Sequence, residues 1–333
     1  MKFSTRVSGR CDSVTVLDVK NLKVYYRTLR GDVKAVDGVS FDLREGEVLG
    51  IAGESGCGKS TLVNFLVLRK PPMFHAGGNV FLRVNGEMMD ITKLDHESMR
   101  RIRFERISII PQYSMDALSP TKRIRRIIQD ILKEHSKEYD EPSVVERLSM
   151  VNLPRKVLDM YPVELSGGMR QRATMVVSTL LNPDVLIADE ITSALDVSTQ
   201  KFVVEMLLKF KESGMVGSMI FITHDLSVLY QIADRVMILY AGKVVEIGPT
   251  EDIVKNPVHP YTRALIESLP RMGVRFERER LRGIPGQPPH LLNPPKGCRF
   301  KERCPLRSER CDEEPPMVEV DEDHVVFCWE VRA

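Results

Sequence analysis

The run Gly53-Glu54-Ser55-Gly56-Cys57-Gly58-Lys59-Ser60 constrains this chain more than any other stretch. It matches G-x-x-x-x-G-K-[ST] in full. It lies between an apolar run at 47–52, which predicts a buried strand, and a predicted helix over 60–68. Glycines at these positions let successive backbone N–H groups turn inward on phosphates, and the helix that follows adds the positive end of its dipole. In such a loop the lysine, here Lys59, reaches the β- and γ-phosphates of a nucleotide, and the hydroxyl of Ser60 ligates Mg²⁺; Thr61 continues the same turn. Cys57 reads as a small side chain tolerated inside the loop rather than as a redox switch.

Two further segments stand in a fixed order behind it. Leu165-Ser166-Gly167-Gly168-Met169-Arg170-Gln171-Arg172 opens a helix predicted over 169–180, whose N-terminal N–H groups suit an anion. Val185-Leu186-Ile187-Ala188-Asp189-Glu190 is an apolar strand ending in two carboxylates. The carboxyl end of a buried strand opens on the crevice where open α/β sheets bind ligands. Asp189 there holds Mg²⁺ through water and Glu190 polarises the attacking water. A second anion site is redundant inside one subunit, and makes sense if 166–168 closes on the γ-phosphate held by another.

Around these motifs, short strands are predicted at 14–17, 22–26 and 39–43, with a turn at 29–32. Residues 118–181 read as mostly helical, broken at Pro120, Pro142, Pro154 and Pro162. Residues 185–188 and 219–223 are continuous apolar runs, as in a parallel sheet covered on both faces, with an amphipathic helix over 199–210 between them. Strands alternating with helices give an α/β fold. The net charge of +2 gives no whole-protein nucleic-acid footprint. The basic runs at 100–103 and 122–126 read as solvated helix faces. No apolar run approaches the ~18–20 residues that span a bilayer, and Met1-Lys2-Phe3-Ser4-Thr5-Arg6 does not open a signal peptide. A cytoplasmic protein is therefore expected, with any membrane role carried by a partner.

In this order and spacing the motifs resemble the ABC-type ATPases. That resemblance implies that two ATPs are sandwiched head to tail between two domains, Ser166, Gly167 and Gly168 of one closing on the nucleotide of the other. It also adds residues. Gln112, after Pro111, resembles the Q-loop glutamine that senses Mg²⁺ and contacts the membrane subunit. Ser193-Ala194-Leu195-Asp196 resembles the D-loop, and His224 the histidine that contacts the γ-phosphate. Tyr26, with Tyr25 as fallback, resembles the aromatic that stacks on adenine. The closer resemblance is to the oligopeptide/dipeptide permease ATPases. It rests on Gly31-Asp32-Val33-Lys34-Ala35-Val36-Asp37-Gly38-Val39-Ser40-Phe41, on the 165–172 segment, on His259-Pro260-Tyr261-Thr262-Arg263-Ala264-Leu265 and on the cysteine tail. Met169 resembles the D-type subunit rather than its F-type partner. Two positions depart from the family pattern: Ile191 replaces a proline after the catalytic glutamate, and Tyr113 replaces an aspartate after the Q-loop glutamine.

Past Asn256 prolines crowd the chain and the apolar content thins. Cys298, Cys304, Cys311 and Cys328, spaced Cys-x5-Cys-x6-Cys-x16-Cys, form most of the cysteine content, while Cys11 and Cys57 stand alone. In a cytoplasmic protein such clustering favours metal or cluster ligation over disulfides, and a metal site compensates for a small core. Four thiolates ligate either Zn²⁺ or a [4Fe–4S] cluster. The absence of short Cys-x2-4-Cys knuckles tilts the reading toward iron–sulfur, as related D-type subunits suggest. His324 is a further possible ligand, or an exposed loop histidine.

The expected fold is thus an α/β, RecA-like P-loop core with an antiparallel β subdomain and an inserted helical subdomain at about 113–175, all within 1–255, followed by a loop-rich, cysteine-containing extension over 256–333. The implied function is ATP hydrolysis driving import of peptides or a related solute from the cytoplasmic face of a membrane. The implied partners are a second ATPase subunit of F type, two transmembrane permease subunits and an extracytoplasmic solute-binding protein, and no nucleic acid. A soluble ABC ATPase acting on nucleic acid or ribosomes is the alternative. The 54 positions from Gln112 to Ser166 leave no room for the long coiled coil of DNA-tethering members, and one cassette per chain is unlike the ribosome-acting ones. An inactive domain is opposed by the intact Lys59, Asp189, Glu190 and His224.

Overall fold

A computed structural model describes residues 14–193, 195–268 and 283–331. Cys11, Ala194 of the 193–196 segment and Pro270 lie outside the described residues.

The amino-terminal part is a four-stranded antiparallel sheet of β1 (Thr15–Thr28), β2 (Gly31–Arg44), β4 (Met73–Val84) and β5 (Glu87–Asp90), in the order β2-β1-β4-β5. Between its strands the chain contributes β3 (Val48–Ala52) and α1 (Lys59–Val67) to the main core. The two strands expected at 14–17 and 22–26 are one, β1, kinked where its register shifts between Val19 and Leu22. Asn21 there takes a left-handed φ of 47°. The bulge lets the strand bend without breaking its pairing, which a sequence read as two alternating runs does not reveal.

The main sheet has eight strands, and its chain order continues through α2 (His96–Ile102), β6 (Ile107–Ile110), α3 (Ile124–Glu134), α4 (Glu141–Met150), α5 (Gly167–Ser178), β7 (Val185–Asp189), α6 (Val197–Glu212), β8 (Ser218–Ile222), α7 (Leu226–Ile232), β9 (Arg235–Tyr240), β10 (Lys243–Pro249), α8 (Thr250–Lys255), α9 (Pro260–Glu267), β11 (Met317–Asp321) and β12 (His324–Phe327). Its spatial order is β11-β12-β10-β9-β3-β8-β7-β6. The pairings of β3 with β8 and β9, and of β7 with β6 and β8, are parallel; β10, β12 and β11 add an antiparallel edge. Alternate residues of the parallel strands enter two separate cores. Leu186, Ala188, Met219 and Phe221 face the helical side, whereas Val185, Ile187, Ile220 and Ile222 face α1 and the antiparallel sheet. Burial on both faces explains why these strands read as unbroken apolar runs.

The helical insertion matches its proline punctuation. Pro142 sits in the first turn of α4, where a missing N–H costs nothing, and Pro162 opens a short 3-10 turn ahead of α5. The tail is more ordered than its composition suggests. Strands β11 and β12 join the main sheet, and His324 on β12 is buried, with Nε2 2.8 Å from Oε1 of Glu246 on β10. His324 is therefore neither a cysteine-site ligand nor an exposed loop residue; it pins the tail to the core. Glu246 is itself fully buried. Burial opposes its ionisation, but hydrogen bonds from His324 and from the N–H groups of Val258 and His259 hold its carboxyl below the usual range.

Candidate nucleotide site

The carboxyl ends of β3, β6, β7 and β8 open on one crevice. The loop 53–58 leaves β3, crosses that end and enters α1 at Lys59. Gly58 is required here: it holds φ +109°, and a Cβ would stand 2.2 Å from the carbonyl oxygen of Ala35. Lys59 is buried, and its ammonium donates to the carbonyls of Gly53 at 2.8 Å and Glu54 at 3.2 Å, with Oε1 of Glu190 3.8 Å away. Ser55 and Gly56 are exposed at the crest of the loop. Cys57 is buried, and burial pushes its thiol pKa up, which fits a space-filling role.

Ser60 and Asp189 meet as expected, the hydroxyl donating to Oδ1 at 3.2 Å. Asp189 is only 2% exposed. Its pKa is pushed up to about 6, chiefly by burial, with the charge of Glu190 adding and the Ser60 bond and Lys59 opposing. Glu190 follows with a left-handed φ of 46°, its N–H donating to the carbonyl of Ile222 on β8. That turn aims its carboxylate across the crevice, where Nε2 of Gln112 donates to Oε2 at 2.9 Å. Two adjacent acidic groups with a serine hydroxyl and a lysine ammonium form a donor set suited to a divalent cation and a polyphosphate. His224, two residues past the end of β8, is exposed at the same end of the sheet. The hydroxyls of Tyr26 and Thr61 lie 3.2 Å apart, which puts Tyr26 beside the start of α1. Tyr25 is instead occupied: its hydroxyl donates to Asp37 at 2.6 Å.

The remaining expected residues, Ser166, Gly167, Gly168 and Asp196, make no hydrogen bond or ion pair to this group among the described residues. Ser166 caps α5, its hydroxyl accepting from the N–H of Met169 at 3.3 Å, and Ser166 and Gly168 are exposed. Asp196 caps α6 by accepting from the N–H of Thr199 and sits exposed on the same side of β7 as Glu190. The bonds from Ser198 and Thr199 hold its carboxyl below the usual range. Glu54 is placed differently from the rest of its loop. Its carboxylate is turned to Arg303 of the tail and its N–H donates to the hydroxyl of Tyr261. Tyr261 and Arg303 fall in segments that carry the family resemblance, 259–265 and the cysteine tail, but no motif assigned either of them to the phosphate loop.

The four tail cysteines are free thiols in one neighbourhood. Gly297, at φ +70° with a would-be Cβ 2.5 Å from the carbonyl oxygen of Cys311, lets the chain cross closely there, and the N–H of Cys298 donates to that carbonyl at 2.9 Å. Burial pushes the Cys298 thiol up to about 11, and the proximity of Cys311, Cys304 and Cys328 adds to it. Burial likewise raises Cys304 and Cys328. Among the described residues, however, no three histidine, cysteine or acidic side chains are arranged to hold a metal ion.

Comparison with known proteins decides the family. Residues 36–193 match the ABC transporter family, and residues 245–311 match the oligopeptide/dipeptide transporter C-terminal region. The dipeptide transport ATP-binding protein DppD of Bacillus subtilis is 42% identical over 320 residues, 94% of each chain. The DppD of Caldanaerobacter subterraneus is 39% identical over 320 residues, covering 94% of this chain and 96% of that one. The chain belongs to the ABC transporter ATPases, in their oligopeptide/dipeptide branch. The dimeric post-hydrolysis structure of the ATP-binding cassette MJ0796 bound to ADP and Pi superposes with a TM-score of 0.61 at 25% identity, covering 70% of this chain and 98% of that cassette. An ABC ATPase therefore accounts for both the fold and the crevice of this chain. Among the described residues no helix is long and apolar enough to cross a membrane.

Proposed function

We propose that this ABC subunit hydrolyses ATP at the crevice above β3 and β7 to power import of peptides or a related solute. The observation that carries the reading is the convergence of Lys59, Ser60, Asp189, Glu190 and Gln112 at one end of the parallel strands, with the start of α5 left facing solvent. Backbone N–H groups of 53–61 cradle the phosphates and Lys59 contacts the β- and γ-phosphates. Ser60, Asp189 and Gln112 are the residues that would hold Mg²⁺, which neutralises phosphate charge when bound. Glu190 orients and polarises the attacking water, His224 contacts the γ-phosphate, and Tyr26 stacks on adenine. Ser166, Gly167, Gly168 and Asp196 serve the nucleotide of a second subunit, a reading supported by the exposure of Ser166, Gly168 and Asp196.

The nucleotide-binding unit spans 1–255, with its helical arm at about 113–175, and the extension 256–333; two family matches in that order along the chain, over 36–193 and 245–311, support two units without marking this boundary. The names of the relatives support peptides as cargo and a membrane permease as partner. The working assembly pairs this chain with an F-type ATPase and docks both on the cytoplasmic face of two transmembrane subunits fed by a solute-binding protein. The four cysteines hold a [4Fe–4S] cluster, or alternatively Zn²⁺. The closeness of Cys298 to Cys304, Cys311 and Cys328, four soft donors in one neighbourhood, supports this. Protein purified without oxygen then carries about four irons per chain; stoichiometric zinc without iron overturns the cluster.

The function itself is tested by phosphate release from Mg-ATP in the assembled transporter, wild type against Lys59→Ala. Turnover confined to the wild type is expected. Equal turnover in both would remove the crevice from the reaction.

A further inference from the structure

Arg303 immediately precedes Cys304 and is buried, its side chain 5% exposed. Its Nη1 and Nη2 donate to Oε2 and Oε1 of Glu54 at 2.7 and 3.0 Å. Nε donates to the carbonyl of Pro285 at 2.7 Å, and Nη1 also reaches the hydroxyl of Tyr240 at 3.1 Å. A planar guanidinium grips a carboxylate at two points and fixes its orientation, which a lysine ammonium does not. A buried cation also resists leaving its partner, because separation strands both charges. Glu54 is held a second time at its backbone, where its N–H donates to the hydroxyl of Tyr261 at 2.8 Å. Tyr261 is fully buried, with ring centroids 4.6 Å from Tyr240 and 5.3 Å from Phe300.

These contacts form a short path into the site. The tail fixes Glu54, and the carbonyls of Gly53 and Glu54 accept from Lys59. The orientation of the peptides at the start of the loop thus bears on where the Lys59 ammonium stands. A pin that merely fastened the tail would serve equally well on any surface carboxylate; this one is spent on the second residue of the phosphate loop.

We infer that Arg303 is a positioning residue for ATP binding, acting through Glu54 to hold the phosphate loop in its binding shape. The inference rests on the phosphate-contacting role proposed for Lys59. Through Arg303 the extension that carries the cysteines becomes part of the nucleotide site.

The test uses the full chain in its assembled transporter, with Arg303→Ala, Arg303→Lys, Glu54→Gln and the Arg303→Ala/Glu54→Gln pair. The readouts are KM and kcat for Mg-ATP, the dissociation constant of a fluorescent ATP analogue, the melting temperature and the iron and zinc content. Arg303→Ala raises KM and the dissociation constant about tenfold with a much smaller change in kcat, Arg303→Lys recovers part of the loss, and the double variant is no worse than the poorer single one. A folded Arg303→Ala protein with KM and dissociation constant within about twofold of wild type, or losses that multiply in the double variant, would overturn the inference. If Arg303→Ala does not fold, the near-isosteric Glu54→Gln carries the test, and an unchanged KM there overturns it. Lys59→Ala separates the two readings: nucleotide binding that survives Lys59→Ala removes the site itself, whereas binding lost in Lys59→Ala but intact in Arg303→Ala removes only the clasp.

Discussion

Glu190 and Asp189 are neighbours in sequence with opposite surroundings. Asp189 is enclosed at the strand end, while Glu190 turns out through a left-handed φ toward Gln112. In the proposed mechanism this turn separates the carboxylate that would hold Mg²⁺ from the one that would polarise water. Glu190→Gln keeps the shape and the bond to Gln112 but removes the base, so turnover falls by at least about a hundredfold while Mg-ATP binding persists. Single-turnover phosphate release with a parallel binding titration checks this; unchanged hydrolysis would remove Glu190 from its role. At this scale the sequence was legible wherever the candidate residues fall in a contiguous motif. Lys59, Ser60, Asp189 and Glu190 are each fixed by the strand or helix end they sit on. Arg303 and Tyr261 were not legible, since their partner Glu54 lies 249 and 207 positions away and nothing local marks the contact.

Among the elements, the tail departs most from its sequence signature. Its prolines and thin apolar content suggest loops, yet β11 and β12 complete the edge of the main sheet, because pairing with β10 supplies what their own four or five residues cannot. His259 at the start of α9 accepts from the N–H of Tyr261 through Nδ1 at 3.0 Å, and burial lowers its pKa from 6.5 to about 4. Between those values the unfolded chain binds the extra proton and the native chain does not. Stability present above about pH 6.5 is therefore lost as pH falls toward 4, by up to about 3 kcal/mol. Melting curves across this range show the slope, and His259→Asn, which keeps an acceptor but does not titrate, flattens it; an equal slope in the variant would contradict the assignment. Gly297→Ala forces a Cβ against Cys311 and costs about 2 kcal/mol. The denaturant midpoint should fall in that variant, and an unchanged midpoint would show the crossing to be unimportant.

On the scale of the whole molecule, the proposed mechanism makes the crevice half of a site. The start of α5 is an exposed helix N-terminus, capped by Ser166. The proposal of such a division comes from the sequence, because two anion-binding loops in one short chain are redundant without a partner. The covering of both sheet faces followed from the apolar runs, whereas the attachment of the tail required the coordinates. On the proposed assembly, Mg-ATP should shift the Glu190→Gln chain, mixed with a related F-type ATPase subunit, from monomers to a dimer in size-exclusion chromatography, and Ser166→Arg should abolish the shift. The central claim is that this ATPase drives uptake of peptides. The most direct measurement is ATP turnover by the membrane-reconstituted complex with its solute-binding protein, titrated with peptides, oligosaccharides and nickel chelates. The account predicts stimulation by peptides; turnover already maximal in the isolated chain and unmoved by any of the three would contradict it.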